Sequence, residues 1–74
     1  MKSYNGHRSW NAWNVSLWIS NDEPLYRRAY ELAHKVGPAK GARILRRELD
    51  QRTPDGAVYN HLSVKLALEG LINE

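Results

Sequence analysis

Apolar residues recur along most of the chain at spacings of three and four positions, the repeat of an α-helix with one buried face. The first such segment starts after Ser9, whose hydroxyl can accept a hydrogen bond from a free amide of the first turn, and runs to about Ile19. The second follows the cap Asp22 and Pro24, which favour a helix N-terminus, and runs to about Val36. The pattern therefore predicts two helices in the first half of the chain.

Two further helices are predicted in the second half. Gly37 suits the end of the second helix and Pro38 the start of a third, which extends to about Gln51. Residues 53–56, Thr-Pro-Asp-Gly, have strong turn chemistry, and the three residues after them are too few for more than an extended connector. Asn60 is expected to cap a fourth helix that ends near residue 71.

Length and composition fit one small domain. A chain of 74 residues buries only about 60% of its unfolded surface, which is enough for one thin core. The absence of cysteine excludes disulfides and thiolate zinc sites, so packing must supply the stability. We predict an all-α fold, a compact bundle of about four short helices in a single domain over residues 1–74, with residues 1–8 a flexible or extended N-terminus.

The first helix is apolar almost all round, which is typical of a central helix packed on several sides. Each aromatic side chain buries about 150–250 Å², so we expect its indoles in the core rather than on a binding surface. Asn11 and Asn14 must then find partners, either within the molecule, holding the N-terminal segment, or across an interface; the first alternative is favoured. The predicted core is Trp10, Trp13, Leu17, Trp18, Leu25, Leu32, Leu45, Leu49, Val64 and Leu68.

Gly41 lies inside the predicted third helix, where glycine costs about 1 kcal/mol relative to alanine. We expect a close approach of a neighbouring helix there, under a Trp ring.

No pattern of catalytic or metal-binding residues is apparent in the sequence. His7, His34 and His61 fall in separate elements without a ligand at helical spacing. The acidic residues are explained as caps and surface partners of basic residues, and the glycines match no phosphate-binding loop. The expectation is a protein that is not an enzyme and takes no cofactor or metal.

Basic residues gather on the third helix, although the net charge is only +3. The basic stripe, as we call Lys40, Arg43, Arg46 and Arg47, is either a solvated helix face, the favoured interpretation, or a surface that faces phosphates. Helices three and four could also form a helix-turn-helix, with Asn60, His61 and Lys65 beginning a recognition helix. The connection between them is longer than the 3–4-residue turn of that motif, which argues against it.

Three segments resemble a family of short, functionally uncharacterised proteins encoded by tailed bacteriophages. The first is residues 4–23, with Ser-Trp-Asn-Ala-Trp-Asn-Val-Ser-Leu-Trp-Ile-Ser-Asn-Asp-Glu at its end, continuing into Leu25-Tyr26-Arg27. The second is the turn at 53–56 with Tyr59, and the third is the run Ser-Val-Lys-Leu-Ala-Leu at 63–68. Residues 37–51, which carry the basic stripe, have no close counterpart.

The resemblance implies a phage accessory protein acting in the host cytoplasm and offers no catalytic residues. The leading expectation is a non-enzymatic protein that binds a bacterial host protein through the basic stripe and inhibits a host defence system, as anti-CRISPR proteins do. The alternative is a small nucleic-acid-binding regulator that uses the same residues on phosphates. A homo-oligomeric structural role follows if the first helix is not covered by its own chain.

The sequence contains no apolar run of about 18 residues, so we expect no membrane span.

Overall fold

The computed structural model describes residues 7–73, which form four α-helices and no strand. They are α1 (Trp10–Asn21), α2 (Glu23–Val36), α3 (Pro38–Glu48) and α4 (His61–Ile72). The predicted all-α bundle is confirmed. Most of the expectation for residues 1–8 lies outside the described residues.

The helices begin at the residues predicted to cap them. Ser9 Oγ accepts a hydrogen bond from the Ala12 amide at 3.1 Å, and Asp22 Oδ1 accepts one from the Leu25 amide at 3.3 Å. Asn60 Oδ1 caps α4 in the same way. Gly37 separates α2 from α3 at φ +89°, a conformation that favours glycine.

Helix α3 ends at Glu48, three positions before the predicted end. Leu49 leaves the helix with extended backbone angles, φ −98° and ψ 157°, yet its half-buried side chain still packs against the core. Its apolar character therefore reflects core packing outside the helix.

Helices α2 and α4 each pack against all three other helices, whereas α1 packs only against α2 and α4. The expectation that α1 would be central is therefore wrong. Consecutive helices α1–α2, α2–α3 and α3–α4 also pack together. The core between them is formed by Val15, Ile19, Ala29, Leu32, Ala33, Ala42, Leu45, Ala57, Tyr59, Val64, Ala67, Leu68 and Leu71.

The prediction that the α1 indoles lie in the core is wrong. The buried face of α1 carries Ala12, Val15 and Ile19, whereas Trp10 is 39% exposed. The other three α1 residues of the predicted core, Trp13, Leu17 and Trp18, are half-buried. Small and β-branched side chains let neighbouring helices approach more closely than indoles would. Of the remaining predicted core residues, Leu32, Leu45, Val64 and Leu68 are buried, and Leu25 and Leu49 are half-buried against the core.

Gly41 marks the predicted close approach of neighbouring helices. A Cβ atom there would lie 2.8 Å from Leu68 Cδ2 of α4 and 3.2 Å from Leu32 Cβ of α2. The crowding comes from these two leucines and not from a Trp ring.

Candidate functional site

The connection between α3 and α4, residues 49–60, folds back on itself, and the predicted extended connector at 57–59 forms its returning side. The Thr53 amide donates to the Ala57 carbonyl at 2.8 Å, and the Gly56 amide donates to the Thr53 carbonyl at 2.9 Å. Arg52 and Val58 form an isolated antiparallel β-bridge on either side of this turn. The turn predicted at residues 53–56 is confirmed, and it closes a short hairpin-like loop.

Two asparagines of α1 fasten this connection to the helix bundle. Asn11 Nδ2 donates to the Val58 carbonyl at 2.9 Å, and its Oδ1 accepts from the Val58 amide at 2.7 Å. Asn14 is only 1% exposed. Its Oδ1 accepts from Thr53 Oγ1 at 2.7 Å and its Nδ2 donates to Asp55 Oδ2 at 2.9 Å. The internal role expected for both residues is confirmed, and within residues 7–73 they hold the connection. The expected contact with the N-terminal segment falls mostly outside the described residues.

Asp55 also accepts a hydrogen bond from the Trp18 indole, Nε1 to Oδ2 at 2.9 Å. The hydrogen bonds from Asn14 and then Trp18 hold the pKa of the Asp55 carboxyl below its ordinary value. The carboxylate therefore stays ionised and keeps its acceptor role at neutral pH. The indole of Trp18 thus serves to hold the loop as well as to pack.

The four residues of the basic stripe all lie exposed on the outer side of α3. Five ion pairs occur among the described residues, and none of them includes a stripe residue. Arg46 Nε donates to the Tyr59 carbonyl at 3.0 Å. Lys40, Arg43 and Arg47 have no hydrogen-bond or ion-pair partner within residues 7–73. Among the described residues, the stripe therefore has three cations without a partner and one, Arg46, that is partly engaged.

Other basic side chains of the helices are paired with carboxylates. Arg28 contacts Glu48 at 2.7 Å and Glu31 at 3.0 Å, so it links α2 to α3. The hydrogen bond that Arg28 donates lowers the pKa of Glu48. The hydrogen bonds donated to Glu48 and, to a smaller extent, to Glu31 raise the pKa of the Arg28 guanidinium. Glu48 is the acidic residue nearest the stripe in sequence, and it pairs with Arg28 instead of Arg47.

The secondary candidates Asn60, His61 and Lys65 have different environments. The Asn60 side chain accepts from the Ser63 amide at 2.8 Å as the helix cap. His61 and Lys65 are half-buried, and Lys65 Nζ lies 4.0 Å from Glu69 Oε2. The length of the connection leaves no helix-turn-helix geometry for these residues.

A cleft of about 300 Å³ opens between the C-terminal end of α3 and the connection. Its cations are Arg46 and Arg52, and Arg52 Nη1 donates to the Gly56 carbonyl at 2.9 Å. Burial, followed by the charges of Asp22 and Asp50, raises the pKa of Tyr59, so the phenol in the cleft wall stays protonated. The cleft is completed by Leu49, Asp50, Gln51 and Val58. Sequence reasoning missed Arg52, whose only signal was its position beside the turn.

An aromatic row on α2 was also missed from the sequence. The ring centroids of Tyr26 and Tyr30 are 5.9 Å apart, and those of Tyr30 and His34 are 4.1 Å apart. The signal was the spacing of four residues between successive rings, which places them on one side of a helix. The row borders an open depression of about 360 Å³ that Arg27 and Glu31 also line.

The described part of the chain contains no cluster of three side chains able to hold a metal ion. Over the same residues, no helix has the length and apolarity needed to cross a membrane.

Comparison with known proteins identifies a family without assigning an activity. No curated protein and no solved structure matches the chain. One family model matches residues 1–74, the full length of the sequence. The chain belongs to that family, the family of unknown function DUF7249.

Proposed function

We propose that this protein is a non-enzymatic phage accessory protein that acts in the host cytoplasm by binding a bacterial protein through the basic stripe. The observation that carries the proposal is the set of free cations on α3. Lys40, Arg43 and Arg47 lie on one exposed helix face without partners among the described residues. A partner with an acidic surface would pair with them without breaking an ion pair first.

The physical case rests on cost and geometry. Arginine is enriched where interfaces bind most tightly, and its planar guanidinium matches carboxylate geometry. A helix fixed at Gly41 between two buried leucines presents these side chains on a rigid backbone, which lowers the ordering cost of binding. Like charges in a row also attract an acidic partner at long range, which raises the association rate.

The resemblance to phage proteins motivates the choice of partner. A small phage protein without catalytic chemistry can act by covering a surface of a host protein. We propose a component of a host defence system as that protein, with inhibition as the outcome. This step rests on analogy with anti-CRISPR proteins rather than on a contact in the molecule.

A nucleic-acid-binding regulator is the second candidate, favoured because no carboxylate of residues 7–73 pairs with Lys40, Arg43 or Arg47. These side chains would contact phosphates, and the affinity would then depend steeply on salt. The logarithm of the binding constant should fall by about 0.9 per phosphate for each unit of log salt concentration. A binding constant that changes little with salt would contradict this candidate.

The test is affinity capture of bacterial proteins on the tagged protein, with and without nuclease, read by mass spectrometry. We expect one specific protein to be retained after nuclease treatment. The double variant Arg43→Glu and Arg47→Glu should lose it, whereas Arg27→Glu with Lys35→Glu, an equal change of net charge on α2, should retain it. Circular dichroism should be the same for all three proteins.

Two outcomes would contradict the proposal. If every captured protein is lost on nuclease treatment, the nucleic-acid candidate replaces it. If the α3 double variant captures the same protein as the unsubstituted chain, the basic stripe is not the interface.

A further inference from the structure

We infer that the cleft at the end of α3 binds an acidic side chain of the protein partner together with an apolar residue next to it. This inference rests on the proposed function and names the chemistry of the partner where the basic stripe ends. The occupant is a peptide segment with a carboxylate beside an aliphatic side chain. Arg46 belongs to both the stripe and the cleft, so a partner lying on the stripe reaches the cleft directly.

Two guanidinium groups are held in place at the cleft before any ligand arrives. Arg46 Nε donates to the Tyr59 carbonyl at 3.0 Å, and Arg52 Nη1 donates to the Gly56 carbonyl at 2.9 Å. Each group uses one N–H bond on the backbone and keeps others, because a guanidinium has five. A restrained guanidinium loses less entropy on binding than a free one, and its remaining donors suit a carboxylate.

The walls of the cleft explain why the ligand should carry an apolar group. Two of the lining residues are apolar: Leu49 is half-buried, and Val58 exposes 36% of its surface. A volume of about 300 Å³ is at the small end for ligand pockets and has room for one or two side chains. Covering Leu49 and Val58 adds a hydrophobic contribution that a bare anion does not obtain.

Asp50 argues for a carboxylate rather than a nucleic-acid backbone. It is the acidic residue of the cleft lining and has no ion-pair partner among residues 7–73. Its charge repels any anion, and the repulsion grows with the number of negative charges brought near it. A row of phosphates would fit better along Lys40, Arg43 and Arg47. The cleft therefore favours a single carboxylate with an apolar neighbour.

The test is a titration of the ¹⁵N-labelled full chain followed by NMR at neutral pH. The probe is the capped dipeptide acetyl-Leu-Glu-amide, and the controls are acetyl-Leu-Gln-amide and inorganic phosphate. We expect saturable shifts of the Nε–Hε signals of Arg46 and Arg52 and of the amides at 49–52 and 58 with the Glu peptide. The Gln peptide and phosphate should cause much smaller shifts at the same concentration.

Two substitutions should change the affinity for the Glu peptide in opposite directions. Arg52→Gln should weaken it about tenfold, because a charge-assisted hydrogen bond is lost. Asp50→Asn should tighten it, because a repelling charge is removed, and a folding defect would not produce a gain of affinity. Arg27→Gln removes an arginine of α2 and should leave the affinity unchanged.

The inference is overturned if the Glu peptide causes no saturable shift, if the Gln peptide or phosphate shifts the same signals equally, or if Asp50→Asn weakens binding. Capture of the bacterial partner separates this inference from the proposed function. In one outcome, the Arg52→Gln variant captures the bacterial partner with unchanged affinity while the Arg43→Glu and Arg47→Glu double variant loses it. That result would show that the cleft does not bind the partner, and the proposed function would stand. If the double variant still captures the bacterial partner, the proposed function is contradicted. The peptide titration would then still test whether the cleft binds a carboxylate.

Discussion

Alanine in place of Gly41 should destabilise the protein even though alanine is the better helix former. The added Cβ would lie 2.8 Å from Leu68 Cδ2, 3.2 Å from Leu32 Cβ and 3.3 Å from the Leu32 carbonyl carbon. Leu68 is fully buried and cannot swing into solvent, and the Leu32 atoms belong to the α2 backbone and its first side-chain carbon. Relief of the contact therefore requires α3 to move away from α2 and α4.

The expected loss follows from two opposing contributions. Glycine to alanine inside a helix stabilises by about 1 kcal/mol through backbone entropy. Overpacking a tight core costs about 1–3 kcal/mol, and three close contacts from two helices favour the upper half of that range. The net loss should be about 1–2 kcal/mol, which lowers the melting temperature of a domain of this size by about 4–8 °C per kcal/mol.

The second glycine inside a helix provides a matched control. A Cβ at Gly70 of α4 would have no neighbouring atom within 4 Å, so Gly70→Ala should stabilise by a few tenths of a kcal/mol up to about 1 kcal/mol. Urea unfolding followed by circular dichroism would measure both variants against the unsubstituted chain. Equal or higher stability of Gly41→Ala would refute the reasoning that the helices are in tight contact at this position.

Three further predictions concern the connection and the cap of α4. Asn14→Ala should lower the free energy of unfolding by about 2 kcal/mol, since it leaves a buried hydroxyl without its acceptor, and urea unfolding would measure the loss. The pKa of Asp55 is lower in the folded than in the unfolded protein, so its carboxylate stabilises the fold above about pH 4, the pKa of the unfolded state. This contribution is lost as the pH falls through the lower pKa of the folded state. Urea midpoints in acid, read by tryptophan fluorescence, should therefore depend less on pH in Asp55→Asn. Asn60→Ala should cost about 1 kcal/mol through loss of the cap, whereas Asn60→Ser should restore most of the melting temperature.

The helix starts could be predicted because their signals are local. Ser9, Asp22 and Asn60 each bond to an amide three residues away, so the information lies within one turn of the chain. The end of α3 was placed too late for a related reason. Leu49 continues the apolar repeat of the helix, and periodicity does not distinguish a helical residue from an extended one that still packs against the core.

The orientation of α1 could not be obtained in this way. A helix that is apolar almost all round has no single face marked for burial, and the choice is made by the helices that pack on it. Val15 and Ile19 permit a closer approach than Trp10 and Trp13. The cleft could not be predicted from the sequence either, because it depends on contacts between distant segments. Arg52 joins Arg46 only because the connection is folded, and that fold depends on asparagines distant in sequence.

The fastening of the connection to α1 has a consequence for hydrogen exchange. The Val58 amide donates to Asn11 Oδ1 at 2.7 Å, and the Ala57 amide donates to Thr53 Oγ1 at 3.0 Å. Both amides lie outside any helix, yet they should exchange slowly with solvent, because exchange requires these side-chain acceptors to be released. The Val58 rate would report how often the loop separates from α1, and the Ala57 rate would report how often the turn at Thr53 opens. Each such opening also dismantles the cleft that Val58 lines, so a ligand bound there should slow exchange at these two positions more than at the outer face of α2.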